Sequence, residues 1–209
     1  AAGQATLVVE DLLTLARRGR YVMKPMNLNY VVDTYLDSLN FQSLMSKYPM
    51  VTLEKRLADE LPEISASESH LMKTIMNLVV NACEAMPEGG KLRIETSHRH
   101  LTRLESSYCK VNPGMYVCLR VADTGTGIAP EDLPRVFDPF FSRKKMSGSG
   151  SGLGLSVVYG VVKDHHGYYD VTSRLGQGTQ FMLHFPVTPS EVEKTETTAE
   201  LTPAQPMAV

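Results

Sequence analysis

The sequence lacks three features that would narrow its function at once: a strong charge excess, a long apolar run and a targeting segment. The 209 residues carry a formal net charge of −2, which gives no overall electrostatic signature of nucleic-acid binding. No apolar run approaches the ~20 residues needed to span a bilayer. The N-terminus has no basic and then apolar pattern of a signal peptide.

Cysteine is also scarce, and its spacing indicates neither a metal site nor a redox motif. The three cysteines are Cys83, Cys109 and Cys118, and no two of them stand at the paired spacing of metal ligands. Cys83 and Cys118 lie in apolar patterns, which is typical of buried free thiols. We therefore expect a location in the reducing cytoplasm, whether or not a full-length protein is anchored in a membrane.

The periodicity of apolar residues predicts an α+β fold. Helical periodicity covers residues 4–18, 28–47, 68–86 and 153–166. Strand-like alternation covers residues 50–57, 91–101, 115–122, 168–173 and 178–187. The strands at 91–101 and 115–122 should form an antiparallel pair with a long connection. We expect two layers, with helices on one face of a mixed, mostly antiparallel sheet.

The composition also divides the chain into segments. Residues 1–19 hold an amphipathic helix that is too short to form a core alone. Residues 20–27, with Pro25, read as a linker, and residues 28–188 as the main domain. Residues 189–209 are rich in Thr, Glu and Pro, which predicts a disordered tail or an interdomain linker. Because the chain begins inside a helical pattern, we expect it to be part of a longer protein.

The candidate chemistry centres on the stretch Asp123-Thr124-Gly125-Thr126-Gly127-Ile128, which follows a predicted strand. A carboxylate at a strand end, followed by two glycines one residue apart, gives a tight turn with exposed amides. Such a turn can admit the flat edge of a ligand and accept a hydrogen bond from its amino group. An ordinary loop would accommodate the same residues, so this stretch alone leaves both interpretations open.

Other stretches accompany this one in a fixed order. They are Asn77-Leu78-Val79-Val80-Asn81-Ala82, Phe137-Asp138-Pro139-Phe140-Phe141, Gly148-Ser149-Gly150-Ser151-Gly152-Leu153-Gly154-Leu155 and Gly176-Gln177-Gly178-Thr179-Gln180-Phe181. Together the set closely resembles the ATP-binding catalytic domain of bacterial sensor histidine kinases, over residues 28 to 187. The stretches correspond to its N box, first glycine box, F box, second glycine box and final Gly-x-Gly-Thr element. The resemblance implies that residues 28–188 form an ATP-binding catalytic domain with a Bergerat-type fold. It also implies that residues 1–19 are the end of the dimerisation and phosphoacceptor helical domain.

The N box indicates a metal and phosphate site. Asn77 and Asn81 are four residues apart, so their side chains meet on one face of the predicted helix. Two carboxamide oxygens beside a phosphate site suit Mg²⁺, which prefers hard oxygen ligands. Two surface asparagines would give the same pattern, and the resemblance decides for the catalytic role. At Glu84 one branch of the family carries a lysine, so we leave the role of this residue open.

The resemblance assigns the nucleotide contacts. They fall on Asp123, Gly125, Gly127, Ile128, Gly150, Gly152, Leu153, Gly154 and Thr179. An Asp123 carboxylate can accept a hydrogen bond from the amino group of adenine but would face an oxygen in guanine. The helix after Gly154 presents free amides that attract phosphate. Lys144, in a long loop over 129–152 that is expected to act as a lid, would neutralise the γ-phosphate.

Other glycine-rich or histidine-rich sites do not fit the sequence. No Lys-Ser/Thr follows the glycines as in a P-loop, and neither His-Arg-Asp nor Asp-Phe-Gly occurs. Asp164-His165-His166 resembles a motif of metal phosphoesterases, but no matching carboxylates accompany it, so a helix end is expected there. Within the same superfamily, an ATP-hydrolysing clamp, a serine kinase or a nucleotide-sensing domain stays an alternative. The clamp enzymes carry a glutamate where Asn77 stands.

The resemblance further implies ATP and Mg²⁺ as ligands, and three kinds of partner. These are its own dimerisation and phosphoacceptor domain, a response regulator receiver domain, and a second copy in a full-length homodimer. In the family the acceptor histidine precedes a glutamate or an aspartate. Here the six histidines are followed by Leu71, Arg99, Leu101, His166, Gly167 and Phe185. We therefore expect the acceptor to lie before Ala1.

Overall fold

The computed structural model describes residues 22–102, 111–142 and 151–188. The helices in chain order are α1 (Leu28–Leu36), α2 (Leu39–Lys47), α3 (Glu68–Glu84) and α4 (Gly154–Asp164). The strands are β1 (Lys24–Met26), β2 (Val51–Arg56), β3 (Ile64–Ala66), β4 (Gly90–Leu101), β5 (Gly114–Asp123), β6 (Tyr168–Arg174) and β7 (Gly178–Pro186). The predicted α+β class is confirmed.

Five strands form the main sheet, in the order β2-β4-β5-β7-β6. Strand β2 runs parallel to β4, and every other neighbouring pair in this sheet is antiparallel. The sheet is therefore mixed and mostly antiparallel, as predicted, and β4 and β5 form the expected antiparallel pair. Strands β1 and β3 form a separate two-stranded ribbon.

Alternation along the strands places one apolar face of the sheet against the helices. The buried strand residues include Leu92, Ile94, Val117, Leu119, Val121, Phe181, Leu183 and Phe185. The helices contribute Leu28, Val31, Val32, Leu71, Ile75, Leu78, Val158 and Val162 to the same core. Because each buried aliphatic side chain contributes about 1.5–3 kcal/mol, this shared core holds the two layers together. None of the described helices has the length and apolar composition of a membrane span.

The predicted helix over 28–47 is wrong as a single helix, because the chain breaks between Leu36 and Leu39. Ser38 has an extended conformation and accepts a hydrogen bond from the amide of Phe41 at 3.2 Å. A serine in this position satisfies an otherwise unpaired amide of the next helix. The ring of Phe41 packs edge-to-face on the ring of Tyr35, with 5.6 Å between the ring centroids, which holds the second helix against the first.

The expected linker over 20–27 contains strand β1, which pairs with β3 antiparallel. Neither three-residue strand was predicted, because such a short segment is too brief to show alternation. Residues 1–21 and 189–209 lie outside the described residues, so the expected terminal segments stay predictions. Residues 103–110 and 143–150, and with them most of the predicted connection between the strands and the expected lid, also lie outside the described residues.

The histidine at the end of α4 has a structural role, as the sequence suggested. His165 is buried, and its Nε2 accepts a hydrogen bond from the backbone amide of Ser67 at 3.1 Å. Its Nδ1 lies 2.7 Å from the carbonyl oxygen of Val161, to which it donates. Both bonds together require the neutral ring, and burial lowers the pKa of His165. The imidazole thus ties the end of α4 to the start of α3.

We predict that His165→Ala lowers the free energy of unfolding by about 2 kcal/mol at pH 7.5, because the Ser67 amide loses its acceptor. The pKa of His165 is lower in the folded state than in the unfolded state, so its contribution is present above the unfolded value of 6.5. That contribution is lost as the pH falls below 6.5. Urea titrations at pH 7.5 and 5.5 should show the difference from wild type shrinking in acid. The exposed His100→Ala is the control, and an equal loss there would contradict this role.

A second buried histidine lies on the opposite face of the sheet and binds a proton more tightly than usual. His184 Nε2 is 3.2 Å from Asp170 Oδ2, and its Nδ1 is 3.1 Å from Cys118 Sγ. Burial lowers the pKa of His184, but the hydrogen bonds to Asp170 and Cys118 raise it by more, to about 8. Cys83 and Cys118 are both buried free thiols, as predicted.

Asp170→Asn should destabilise the protein by about 2 kcal/mol at pH 6, the free energy of a pKa raised from 6.5 to about 8. A raised folded pKa means that the contribution is complete below pH 6.5 and is lost as the pH rises through 8. The two proteins should therefore unfold at nearly equal urea concentrations at pH 9.5. The matched control is Asp138→Asn, since Asp138 pairs with Arg135 on the exposed surface. A pH-independent loss for Asp170→Asn would refute the charged pair.

Candidate nucleotide-binding site

The N box lies on α3 and is joined directly to the start of α4. The Asn77 side chain is 9% exposed, and its Nδ2 donates to the carbonyl oxygen of Gly154 at 3.0 Å. This bond uses one of the two N–H groups of the amide nitrogen, and the carbonyl oxygen Oδ1 stays available as an acceptor or metal ligand. A Cβ atom on Gly154 would lie 3.5 Å from Cγ of Asn77, so the two segments are in contact.

Asn81 lies one helical turn after Asn77 and is half-buried. Among the described residues, no hydrogen-bond partner is found for its side chain. Glu84 ends the helix and is also half-buried. The pair of asparagines thus presents two carboxamides along one side of α3, as the spacing predicted.

The first glycine box begins at the end of β5, where Asp123 is 9% exposed. Its Oδ1 accepts hydrogen bonds from the amides of Gly125 at 2.8 Å and Thr179 at 3.2 Å. These two amides come from different segments of the chain, so the carboxylate holds the glycine turn against β7. Both bonds position Oδ1 in the absence of a ligand.

Two glycines are required in this turn because the backbone of neighbouring segments passes too close for a side chain. A Cβ atom at Gly125 would lie 2.4 Å from the carbonyl oxygen of Ala85, and the next amide, that of Thr126, donates to the same oxygen at 2.9 Å. Gly127 has φ 70°, and its Cβ would lie 2.0 Å from the carbonyl oxygen of Arg174. The turn is therefore held between the end of α3 and the β6–β7 turn.

The hydroxyl groups of Ser173 and Thr179 lie next to each other, and Ser173 forms a hydrogen bond to the same turn. Ser173 Oγ donates to the carbonyl oxygen of Gly178 at 2.9 Å and accepts from the Ile128 amide at 2.8 Å. It also lies 2.9 Å from Thr179 Oγ1. Because the one hydrogen of Ser173 is used on Gly178, the Thr179 hydroxyl donates to Ser173 and presents only lone pairs to a ligand. Sequence reasoning missed Ser173, since one serine within a strand carries no distinguishing signal.

The second glycine box leads into the N-terminus of α4. The carbonyl oxygen of Gly152 accepts from the Phe140 amide at 2.9 Å, which joins this box to the F box. Leu153 is fully buried, and its carbonyl accepts from the Val157 amide at 2.9 Å. The first amides of α4 therefore lie next to Asn77, and a helix N-terminus attracts anions.

Of the F box phenylalanines, Phe137 packs against other aromatic rings of the domain, whereas Phe140 has no such ring contact among the described residues. The ring centroid of Phe137 lies 4.5 Å from that of Tyr169 and 6.3 Å from that of Phe181. Phe140, by contrast, is 56% exposed. Of the predicted site residues, Lys144 and Gly150 lie outside the described residues, and their roles stay predictions. The others converge on one end of the sheet.

Comparison with known proteins finds the same type of ATP-binding domain in other chains. The family model described as "Histidine kinase-, DNA gyrase B-, and HSP90-like ATPase" matches residues 66–189. The chain is 33% identical over 190 residues to the sensor kinase CckA of Brucella abortus, covering 88% of this chain and 19% of CckA. It is 31% identical over 186 residues to the sensor histidine kinase ZraS of Escherichia coli, covering 89% of this chain and 36% of ZraS.

Solved structures show the same similarity. Full-length ShkA in complex with AMPPNP has a TM-score of 0.67 at 25% identity, over 90% of this chain and 36% of ShkA. The catalytic domain of the histidine kinase ThkA has a TM-score of 0.61 at 26% identity, over 80% of this chain and 99% of that domain.

The chain spans well under half the length of the two curated relatives named above. It therefore corresponds to one portion of such proteins, and the similarity lies in the domain that carries the glycine boxes. Throughout its main domain the chain is similar to the catalytic ATP-binding domain of sensor histidine kinases. Because the family model covers more than half of the chain, the chain belongs to the histidine kinase-, DNA gyrase B- and HSP90-like ATPase family.

Proposed function

We propose that this chain binds Mg-ATP and transfers the γ-phosphoryl group to a histidine on the dimerisation domain of a sensor histidine kinase. The observation that carries the proposal is the set of hydrogen bonds that joins all the glycine boxes to α3. Asn77 bonds to Gly154, and Thr126 bonds to the end of α3. Asp123 bonds to Thr179. One site thereby combines a carboxylate, two carboxamides and a helix N-terminus.

The adenine end of this site would be read by Asp123 and Thr179. The carboxylate of Asp123 accepts hydrogen bonds and, when ionised, cannot donate one. The Thr179 hydroxyl, whose hydrogen is used on Ser173, also presents an acceptor. Two acceptors suit the amino group of adenine, directly or through water, whereas the carbonyl oxygen that guanine carries at this position is itself an acceptor and would meet both unfavourably. Gly125, Gly127 and Ile128 would border the base.

The phosphate end would hold the metal. Asn77 donates one N–H to Gly154 and keeps its carboxamide oxygen as a metal ligand, and Asn81 adds a second carboxamide. Hard oxygen donors beside phosphate oxygens fit Mg²⁺, so Asn77 and Asn81 would hold it. When bound, Mg²⁺ neutralises charge on the phosphates. Gly152, Leu153, Gly154 and the α4 amides would hold the phosphate oxygens.

Transfer in such a site depends on positioning and charge neutralisation rather than on a base. A neutral imidazole is itself a nucleophile near neutral pH, so the acceptor needs no activation. Water does need a base, and Asn77 cannot act as one, which disfavours hydrolysis as the main reaction. We further propose that Lys144 neutralises the γ-phosphate, that a full-length homodimer acts in the cytoplasm, and that the acceptor histidine passes the phosphoryl group to a response regulator.

Replacement of Asp123 tests the adenine assignment. We expect Asp123→Ala to lose ~1.5–3 kcal/mol of ADP affinity in calorimetry, because a charged hydrogen bond is removed. The wild type should bind ADP and discriminate against GDP. Asp37→Ala is the matched control, since Asp37 is an exposed carboxylate at the end of α1 and belongs to none of the motifs of the site. Equal affinity of the wild type for ADP and GDP would overturn the assignment of Asp123.

Incubation with radiolabelled ATP tests the transfer itself. The chain should label a supplied dimerisation domain in trans, with acid-labile and alkali-stable phosphate, and should not label itself. None of its six histidines precedes an acidic residue. Asn77→Ala and Asn81→Ala should slow the transfer by about a hundredfold, because the phosphates lose their alignment. The exposed Asn40→Ala should transfer normally.

Three outcomes of this assay would contradict the proposal. Stable label on this chain alone would show that the acceptor assignment is wrong. Rapid release of inorganic phosphate without label on the acceptor would indicate an ATP-hydrolysing clamp. Nucleotide binding without either reaction would indicate a nucleotide-sensing domain.

A further inference from the structure

The face of the main sheet that points away from the helices carries charged and polar side chains; we call it the open face. The strand register places one row of residues across it: Glu54, Arg93, Ala122, Gln180 and Thr172. An adjacent row contains Lys91 on β4, and Arg174 on β6 opposite Gly178 on β7. These residues alternate with the apolar ones that form the core.

A depression lies over these two rows and the side chain of Arg120 in the next row, with a volume of about 380 Å³. Ala122 and Gly178 leave it open because their side chains are too small to fill the space. Four cationic side chains line it: Lys91, Arg93, Arg120 and Arg174. The volume is within the range of about 300–1,000 Å³ that is usual for small-molecule sites.

Hydrogen bonds hold the two central guanidinium groups in place. Arg93 donates to Glu54 Oε2 from Nε at 3.0 Å and from Nη2 at 2.9 Å. Arg120 donates from Nε to Gln180 Oε1 at 2.7 Å, and from Nη1 to Glu95. Each guanidinium has five N–H groups, so both keep donors beyond those that these bonds use. Their positions are fixed in advance, which lowers the entropy lost on binding a ligand.

The two outer cations have no such partners. Lys91 and Arg174 are exposed, and no carboxylate among the described residues lies within ion-pair distance of either. Glu54 and Glu95, which lie on this face of β2 and β4, are already paired with Arg93 and Arg120. Asp123, the carboxylate that also lines the depression, accepts hydrogen bonds from the amides of Gly125 and Thr179. Asp170, further along β6, is paired with His184. Positive charge is therefore in excess at this depression, although the chain as a whole carries −2.

We propose that this depression binds a phosphate-bearing anion, in the size range from pyrophosphate to a nucleotide. Guanidinium groups match phosphate oxygens in geometry, and the two exposed cations supply the charge that the paired arginines lack. The depression borders the site that contains the Asp123 carboxylate, since Asp123, Ser173 and Thr179 also line it. Residues 122 and 123 alternate across β5, so the four cations lie on the face of the sheet opposite to the Asp123 side chain.

The test uses inorganic pyrophosphate, without divalent metal, titrated into the ¹⁵N-labelled chain. Amide signals of Lys91, Ala122, Arg174 and Gly178 should shift and saturate, whereas those of Asn77 and Gly154 should not. The double variant Lys91→Ala/Arg174→Ala should bind pyrophosphate at least about tenfold more weakly, because two charged contacts are lost. Its affinity for ADP should stay within about twofold of wild type, which also shows that the variant is folded.

The charge-matched control is Lys24→Ala/Lys47→Ala, which removes two exposed lysines away from the depression. It should bind pyrophosphate like the wild type. Equal weakening in both double variants would show a general charge effect and overturn the proposal. So would shifts confined to Asn77 and Gly154, since these would place pyrophosphate in the nucleotide site. The absence of saturable binding in the millimolar range would overturn it as well.

Discussion

The interaction on which the candidate site depends is the pair of hydrogen bonds that Asp123 Oδ1 accepts from the amides of Gly125 and Thr179. These bonds tie the glycine turn after β5 to the first residues of β7. The turn then reaches the end of α3 through the Thr126 amide, and the Gly176 amide donates to the Thr126 carbonyl from the β6–β7 turn. One buried carboxylate thus orders three segments, and bonds from amides to a carboxylate are among the stronger ones in proteins.

The two layers are joined by polar contacts as well as by the apolar core. His165 must be neutral to accept from Ser67, while His184 on the other face of the sheet is stabilised by holding a proton beside Asp170. The first bond joins helices α3 and α4, which carry Asn77 and Gly154. The two buried histidines therefore contribute to stability with opposite pH dependence, because stability follows the protons that each group binds in the folded and unfolded states.

Strands β5 and β7 contribute side chains both to the candidate nucleotide site and to the open face. Their alternate residues place Asp123 and Thr179 toward the helices and Ala122 and Gln180 toward the open face. The side of the sheet toward the helices carries hydrogen-bond acceptors suited to an amino group. The open face carries cations suited to an anion, so a shift of one residue in register would exchange the two chemistries.

The sequence alone determined the α+β class, most of the strands and helices, and the family, because periodicity and ordered motifs are local signals. It could not show the break after Leu36 or the three-residue strands, which tertiary contacts stabilise. Ser173, the acceptor role of His165 and the cationic depression also required the structure. Asp123 and Thr179 are 56 residues apart, and Ser67 and His165 are 98 apart. Such pairs meet only when strand register and helix packing are set, since no local pattern encodes a contact between distant segments.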